Sequence, residues 1–315
     1  MPSLKVLSQR QERLSPGHRL CAGCGASVAV RQILLSTELP VVVCAATGCL
    51  EVATTIYPFT AWKVPFIHNA FENAAATITG VEAMYKALKK RGKIPADKKI
   101  KFIAFGGDGG TYDIGLQSLS GALERGHDFT YVCYDNEAYM NTGIQRSSAT
   151  PLGAHTTTSP AGKVIPGKKD FQKNLTAIVA AHGIPYVAQA SPAYYMDLIN
   201  KAQRAIETDG PTFLNVFSPC PRGWRTDAQN FLKIGQLAVE TCFWPLYEVI
   251  DGKYVLNGVS KRIAEGKAEK KPLVEWIKMQ GRFKHLLNEK NKWVIDEAQK
   301  RVDAEWEHLV KLASI

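Results

Sequence analysis

Short apolar runs alternate with helical intervals along the chain and predict an α/β fold. Apolar runs occupy residues 40–46, 98–105, 129–134 and 212–217. Between the first two, apolar side chains recur every three or four positions over residues 72–91, which is the spacing of an amphipathic helix. Runs of this length separated by helices are typical of neighbouring parallel strands. We therefore predict an open, mostly parallel sheet flanked by helices.

Two of these runs end in unusual polar segments. Residues 98–105 lead into Gly106-Gly107-Asp108-Gly109-Gly110, and residues 129–134 lead into Asp135-Asn136-Glu137-Ala138. The carboxyl ends of adjacent parallel strands meet at one edge of a sheet, where open α/β proteins place their ligands. Glycines there let the backbone approach a phosphate and permit a positive φ. We expect both segments to line one crevice.

The same segments carry oxygen ligands that suit Mg²⁺. Asp108 supplies a carboxylate, and Asn136, 28 positions later (136 − 108), supplies an amide oxygen. With a backbone carbonyl, two diphosphate oxygens and a water, they would complete an octahedral oxygen shell. Alternatively, the Gly-Asp-Gly tripeptide is only a tight turn. The recurrence of a ligand residue one strand later favours a diphosphate–Mg²⁺ site.

This pattern resembles the thiamine diphosphate signature. In that family the Asp, the Asn side chain and the carbonyl two residues after the Asn hold the metal. The resemblance implies that Asp108, Asn136 and the backbone of Ala138 bind Mg²⁺, with Gly107 and Gly109 beside the coenzyme.

The seven cysteines divide into two groups. Cys44, Cys133 and Cys242 fit buried free thiols, whereas the other four occupy turns or strand ends where side chains can converge: Cys21, Cys24, Cys49 and Cys220. The Cys-x-x-Cys turn opens a predicted helix, whose dipole is expected to lower the pKa of both its thiols. Four convergent thiolates suit either Zn²⁺ or an iron–sulfur cluster.

The motifs around these cysteines make the resemblance more specific. Residues 17–25, 46–49, 106–151 and 218–221 resemble the beta subunit of 2-oxoacid:ferredoxin oxidoreductases, most closely the pyruvate type, to which an oxalate-oxidising relative is similar. The similarity runs from about residue 15 to 250 and resumes at residues 280–285. It implies a 4Fe-4S cluster on the four cysteines, with Asn141 next to the reactive part of the coenzyme.

The resemblance also implies a domain layout and partners. Residues 1–250 would form the pyrophosphate-binding domain with the cluster site, and residues 251–315 a C-terminal helical extension. An alpha subunit with a pyrimidine-binding domain would supply the glutamate that activates thiamine. A ferredoxin-like cluster subunit and external ferredoxin would receive electrons. The use of coenzyme A, and the choice among pyruvate, oxalate and other 2-oxoacids, stay open.

Charge and hydropathy limit the other functional classes. The net charge is +10, and residues 89–93 and 261–271 hold much of the excess, either as solvated surface or as a dock for an acidic electron carrier. No nucleic-acid motif, signal segment or membrane-length apolar run is present, so a cytoplasmic protein is expected. A non-redox thiamine diphosphate decarboxylase or synthase, and a zinc-stabilised binding protein, are the alternatives.

Overall fold

One sheet organises the protein. The computed structural model describes residues 3–314, and within them eight strands lie in the order β2-β1-β3-β4-β6-β5-β7-β8. Strands β1 to β6 are parallel, whereas β7 and β8 are antiparallel additions at one side, which confirms an open, mostly parallel sheet. The strands are β1 (Val41–Ala46), β2 (Phe66–Asn69), β3 (Lys101–Gly107), β4 (Phe129–Asp135), β5 (Tyr186–Ala190), β6 (Pro211–Phe217), β7 (Tyr247–Ile250) and β8 (Lys253–Leu256).

Helices cover both faces of this sheet. They are α1 (Leu4–Leu7), α2 (Gly25–Leu35), α3 (Cys49–Thr54), α4 (Ala74–Lys90), α5 (Leu116–Glu124), α6 (Leu175–Ala180), α7 (Tyr195–Glu207), α8 (Pro221–Trp224), α9 (Phe231–Glu240), α10 (Gly258–Ala264), α11 (Val274–Lys278) and α12 (Lys292–Ala313). A π-helical segment, Gly109–Ile114, precedes α5, and a 3-10 segment, Gly281–Leu286, precedes α12. Within the described chain, no helix combines the length and apolarity that crossing a bilayer requires.

The alternation of side chains along each strand explains the two faces. Val43 and Ala45 of β1 pack with apolar residues of α2 and α7, whereas Cys44 and Ala46 pack with α4 and α5 on the other side. Every residue of β4 and β6 is buried. Strands buried on both faces need no polar alternation, which is why they read as continuous apolar runs.

Sequence and structure differ most after residue 230. The pattern predicts a helix that begins at residue 236 and is interrupted by Pro245. The observed helix α9 spans Phe231–Glu240, because Cys242 adopts a left-handed φ of 58° and turns the chain. The boundary expected at residue 250 falls inside the β7–β8 hairpin. The segment after it therefore contributes a strand as well as helices, and the apolar side of α12 packs into the main core.

Candidate active site

The carboxyl edge of the parallel strands gathers the predicted site residues. Gly107 of β3 pairs with Tyr134 of β4, so Asp108 and Asp135, the next residues of each chain segment, leave the sheet side by side. Asp135 in turn pairs with Phe217 of β6, three positions before Cys220. The site therefore forms where hydrogen-bonded strands end together.

Close packing explains the glycines of the turn. A Cβ added to Gly109 would lie 2.4 Å from a ring carbon of Tyr139, and the Tyr139 hydroxyl donates a hydrogen bond of 2.8 Å to the carbonyl of Gly109. None of the glycines at positions 106, 107, 109 and 110, all in the described chain, has a positive φ. The turn therefore needs glycine for close approach and not for a positive φ.

Three oxygen atoms meet beside this turn, and we call them the oxygen triad: Asp108 Oδ1, Asn136 Oδ1 and the carbonyl of Ala138. The Asn136 oxygen lies 2.8 Å from each of the other two acceptors. Rotating the amide would instead let its nitrogen donate to both. Mg–O distances of about 2.0–2.1 Å in an octahedron place neighbouring ligand oxygens about 2.9 Å apart. Two oxygen–oxygen distances in the oxygen triad, both from Asn136, therefore match those between neighbouring Mg²⁺ ligands.

Burial gives this site unusual electrostatics. Asp108 is fully buried, and burial raises its pKa to about 7, although hydrogen bonds from Ser147 and the Asn136 amide favour the carboxylate. Burial also raises the pKa of Asp135, and repulsion from Asp108 and Glu137 adds to the effect. Asp108, Asp135 and Glu137 are buried acids at the ends of two adjacent strands, and buried negative charges this close together favour a nearby cation.

An aromatic and cationic pair supports the oxygen triad from below. The indole Nε1 of Trp224 donates a 2.9 Å hydrogen bond to the carbonyl of Asn136. Arg282 lies 4.2 Å from the Trp224 ring and forms a buried ion pair with Glu137. Glu137 has a left-handed φ of 66°, which a side chain disfavours by about 1 kcal/mol, so the ion pair helps to hold it. Trp224 and Arg282 thus hold Asn136 and Glu137, the two residues that precede Ala138.

The four predicted cysteines, which we call the cysteine group, approach one another from separate segments. Cys24 precedes α2, and the next residue, Gly25, donates a 2.9 Å backbone hydrogen bond to Pro219, beside Cys220. Cys49 begins α3, and Cys220 accepts a 3.3 Å hydrogen bond from the amide of Gly223. The structure therefore brings the Cys-x-x-Cys turn against the segment that follows β6.

The pKa values show both the proximity and the burial of these thiols. Burial raises the pKa of Cys49 to about 12, with further contributions from the charges of Cys220, Cys24 and Cys21. Burial raises the pKa of Cys24 as well, against hydrogen bonds from the first amides of α2. The prediction that the helix terminus lowers the Cys24 pKa is therefore wrong, because desolvation outweighs it.

The spacing of the cysteine group bears on what it can bind. Among the described residues, no three His, Cys, Asp or Glu side chains stand close enough to share one metal ion. A tetrahedral zinc site needs every sulfur about 2.3 Å from a single point. A cluster with several iron atoms is larger and holds thiolates farther apart. In these positions the described cysteines do not form a single-ion zinc site.

Asn141, the remaining predicted site residue, lies at the rim of the crevice beside the oxygen triad. Asn141 is exposed and lines a crevice with Cys49, Asp108 and Asn136, but the open space there is only about 20 Å³. A separate cavity of about 380 Å³ lies between the sheet and α12, and its lining includes Asp135 and Glu137, the residues on either side of Asn136. The predicted residues therefore surround a shallow groove.

Sequence reasoning missed several residues that complete the site. Ser147 donates a 2.5 Å hydrogen bond to Asp108 from 39 positions away, and Trp224 and Arg282 are more distant still in sequence. Only residues 280–285, which belong to the stated resemblance, gave a signal for Arg282. Ser147 and Trp224 follow no periodic pattern.

Comparisons with known proteins agree with this geometry. Residues 46–216, more than half of the chain, match the family "Thiamine pyrophosphate enzyme, C-terminal TPP binding domain". The solved 2-oxoglutarate:ferredoxin oxidoreductase from Magnetococcus marinus has a TM-score of 0.55 at 20% identity, over 72% of this chain and 81% of that chain. At that identity the likeness supports the fold alone.

Relatives of known name are much more similar. Pyruvate synthase subunit PorB of Thermotoga maritima is 53% identical, with 99% of this chain and 97% of the relative covered. PorB of Methanocaldococcus jannaschii is 54% identical, with 93% and 95% covered. Ketoisovalerate oxidoreductase subunit VorB of Pyrococcus abyssi is 44% identical, with 97% and 94% covered.

Together these findings define a thiamine pyrophosphate enzyme subunit. More particularly, the chain belongs to the family of 2-oxoacid:ferredoxin oxidoreductase beta subunits that includes pyruvate synthase subunit PorB. The predicted family, fold and enzyme class are confirmed. Membership of an oxidoreductase family argues against both a non-redox thiamine enzyme and a zinc-stabilised binding protein.

Proposed function

We propose that this chain anchors thiamine diphosphate through Mg²⁺ and carries a 4Fe-4S cluster. In this proposal it is the beta subunit of an enzyme that oxidatively decarboxylates pyruvate and reduces ferredoxin. The observation that carries the proposal is the meeting of the oxygen triad, in which the Asn136 oxygen lies 2.8 Å from the other two, with the cysteine group at one edge of the sheet.

The residues present fit both cofactors. Asp108, Asn136 and Ala138 would hold Mg²⁺, because their oxygens already stand at ligand spacing. The cluster would bind the cysteine group: Cys21, Cys24, Cys49 and Cys220. The family match begins at residue 46 and ends at residue 216, so it includes the oxygen triad and Cys49 but leaves three of the cysteines outside. The cluster is therefore a proposal from the residues themselves.

A partner chain follows from the shape of the crevice. The space beside the oxygen triad is about 20 Å³, whereas pockets that enclose small-molecule ligands typically measure about 300–1,000 Å³. We propose that this chain binds the diphosphate end of thiamine diphosphate. An alpha subunit with a pyrimidine-binding domain would enclose the rest of the coenzyme. The exposed Asn141 at the rim would then lie next to the reactive part of the coenzyme.

Each part has a separate chemical task. Bound thiamine diphosphate supplies the carbanion chemistry that releases CO2 from a 2-oxoacid, and an iron–sulfur cluster takes up electrons singly. Asp108 and Asn136 orient the diphosphate through the metal. Ser147 and Trp224 hold those ligands in place, and Asn141 positions the reacting end. No general base is assigned to this chain.

Ferredoxin docking is proposed near the cysteine group and not at the basic end of α4. Lys89 donates a hydrogen bond of 3.1 Å to the carbonyl of Lys98, just before β3 begins, which places this basic run at the amino edge of the sheet. A strand of seven residues spans about 23 Å. The basic run is therefore better explained as solvated surface. A ferredoxin-like subunit would relay electrons from the cluster.

Pyruvate is the proposed substrate because the four matched relatives that exceed 50% identity are all named pyruvate synthase subunit PorB. The VorB relative is 44% identical, so ketoisovalerate is the second acid to compare. Oxalate is the third acid in the comparison. The test is an anaerobic assay of the purified complex with each acid, a viologen dye, and coenzyme A present or omitted. Fastest dye reduction with pyruvate supports the proposal, and no reduction with any of the three contradicts it.

A further inference from the structure

We propose that the Tyr134 hydroxyl donates a hydrogen bond to the sulfur of Cys49 when that sulfur holds the cluster, and that this bond raises the reduction potential of the cluster. The inference rests on the proposed function, because it takes the cluster as present. It assigns a tuning role to Tyr134, which is not among the predicted site residues.

The Tyr134 hydroxyl is a buried donor without a partner. Tyr134 is the second-to-last residue of β4, and only 2% of its surface is exposed. Among the described residues, nothing accepts a hydrogen bond from its oxygen. A buried hydroxyl left unpaired costs free energy, and such groups in native proteins usually meet a ligand or water.

Two glycines define where this hydroxyl points. A Cβ built on Gly48 would lie 2.6 Å from the hydroxyl oxygen, and one built on Gly107 would lie 3.3 Å from it. Gly48 directly precedes Cys49, and Gly107 directly precedes Asp108. The hydroxyl thus sits between the cysteine group and the oxygen triad, and its bulk explains why both motifs have glycine there.

The choice of acceptor follows from what is already paired. One carboxylate oxygen of Asp108 accepts a hydrogen bond from the Ser147 hydroxyl, and the other accepts one from the backbone N–H of Asn136. No donor among the described residues reaches the Cys49 sulfur, although Tyr134 and Cys49 line the same crevice. A Cβ on Gly48, the residue before Cys49, would lie 2.6 Å from the hydroxyl oxygen, which places the hydroxyl beside the Cys49 segment. Cys49 is therefore the acceptor that the hydroxyl lacks.

Such a bond would act on electron uptake. Reduction adds negative charge to the cluster and its sulfur ligands, and a hydrogen bond to a sulfur stabilises that charge. Losing the donor should therefore make the cluster harder to reduce. The effect is electronic, so it should appear in the potential even when coenzyme binding is unchanged.

The test compares Tyr134→Phe with a matched control on the same strand. Tyr131 is equally buried, but its hydroxyl lies 3.2 Å from Thr111 Oγ1 on the opposite face of the sheet. The full chain, prepared anaerobically with its cluster, is titrated with redox mediators and followed by electron paramagnetic resonance. At a fixed solution potential, Y134F should lower the ratio of reduced to oxidised cluster roughly three- to tenfold, and Y131F should leave it unchanged.

Gly48→Ala provides a second variant in case Y134F does not retain its cluster. Its new Cβ would stand 2.6 Å from the hydroxyl, so the hydroxyl must move, and the reduced fraction should fall in the same direction. Equal potentials in Y134F and the wild type, or equal shifts in Y134F and Y131F, would overturn the inference alone. A wild-type chain without iron would instead overturn the proposed function, and the inference with it.

Discussion

The oxygen triad and the cysteine group lie at the same edge of the sheet but are built in different ways. The triad comes from the ends of two adjacent hydrogen-bonded strands, and its Asn136 oxygen already lies 2.8 Å from the other two oxygens. The cysteine group comes from three separate segments, which precede α2, begin α3 and follow β6. Its members range from partly buried to exposed. One region is fixed by the backbone ladder, whereas in our proposal the other is joined only when its cysteines bind a cluster.

This contrast has a consequence for loss of either cofactor. Because the strand register does not depend on the cluster, we expect the oxygen triad to keep its geometry when iron is removed. The cysteine segments are held by single contacts such as the Gly25 to Pro219 hydrogen bond of 2.9 Å. They should lose order when the cluster leaves, since metal binding to such sites contributes directly to folding.

The largest expected effect separates the two regions through a cysteine. Cys49→Ala should reduce the iron content of the chain from about four atoms to less than one, because each thiolate is a required ligand. Coenzyme retention should change less than about threefold. Cys44→Ala is the matched control, because Cys44 is buried in β1 and its thiol donates to the carbonyl of Ala74 at 3.3 Å. Iron analysis tests the cysteine group, and quantification of bound thiamine diphosphate tests the oxygen triad.

Changing the aspartate should give the opposite pattern. Asp108→Ala removes the only charged member of the oxygen triad and should weaken Mg²⁺-dependent coenzyme binding by more than about 100-fold, with iron unchanged. Asp113→Asn is the control, since Asp113 also accepts hydrogen bonds from the 147–150 segment, including a 3.0 Å bond from the Ser148 amide. Titration calorimetry with Mg²⁺ and thiamine diphosphate measures the difference. Equal affinities of D108A and D113N would contradict the assignment.

A smaller effect tests the support beneath the triad. Trp224→Phe removes the 2.9 Å hydrogen bond to the Asn136 carbonyl but keeps a ring for Arg282. We expect roughly three- to tenfold weaker coenzyme binding. Trp244→Phe removes an equivalent 2.9 Å bond to the carbonyl of Ala190 and should leave binding unchanged. The same loss in both variants would show a general loss of stability and no positioning role.

The smallest expected effect concerns a carboxylate outside both regions. Burial alone would raise the pKa of Glu82, but hydrogen bonds from Lys86 and His127 outweigh burial and lower it. Stability from this group is therefore present above about pH 4.5 and is lost as the pH falls through the folded-state value. Glu82→Gln should cost about 1 kcal/mol at pH 7 and progressively less below pH 4.5. Urea unfolding across this pH range measures it, and a constant difference would contradict the pKa assignment.

The strand-end motifs were predictable because they are local. Asp108 and Asn136 each follow a continuous apolar run, and the rule that adjacent parallel strands share an edge places them together. The fold class followed from the same runs. Strand β2 was missed because its four residues are only partly buried and carry no apolar pattern. The β7–β8 hairpin was hidden in a segment that reads as charged surface.

The supporting residues could not be predicted because their contacts are distant in sequence. Ser147 reaches Asp108 across 39 positions, and Arg282 reaches Glu137 across 145. No periodicity relates such pairs, since tertiary packing alone brings them together. The pKa of Cys24 was predicted in the wrong direction for a related reason, because burial depends on the whole fold.

Cofactor content tests the central claim most directly, which is that one edge of this sheet holds both Mg²⁺-bound thiamine diphosphate and an iron–sulfur cluster. The measurement is iron, sulfide, magnesium and thiamine diphosphate per chain in the beta subunit isolated without oxygen, because a ferredoxin-like partner would add iron of its own. We predict about four iron atoms and one coenzyme per beta subunit, with brown absorption that dithionite bleaches. A colourless, iron-free preparation that still binds the coenzyme would contradict the account.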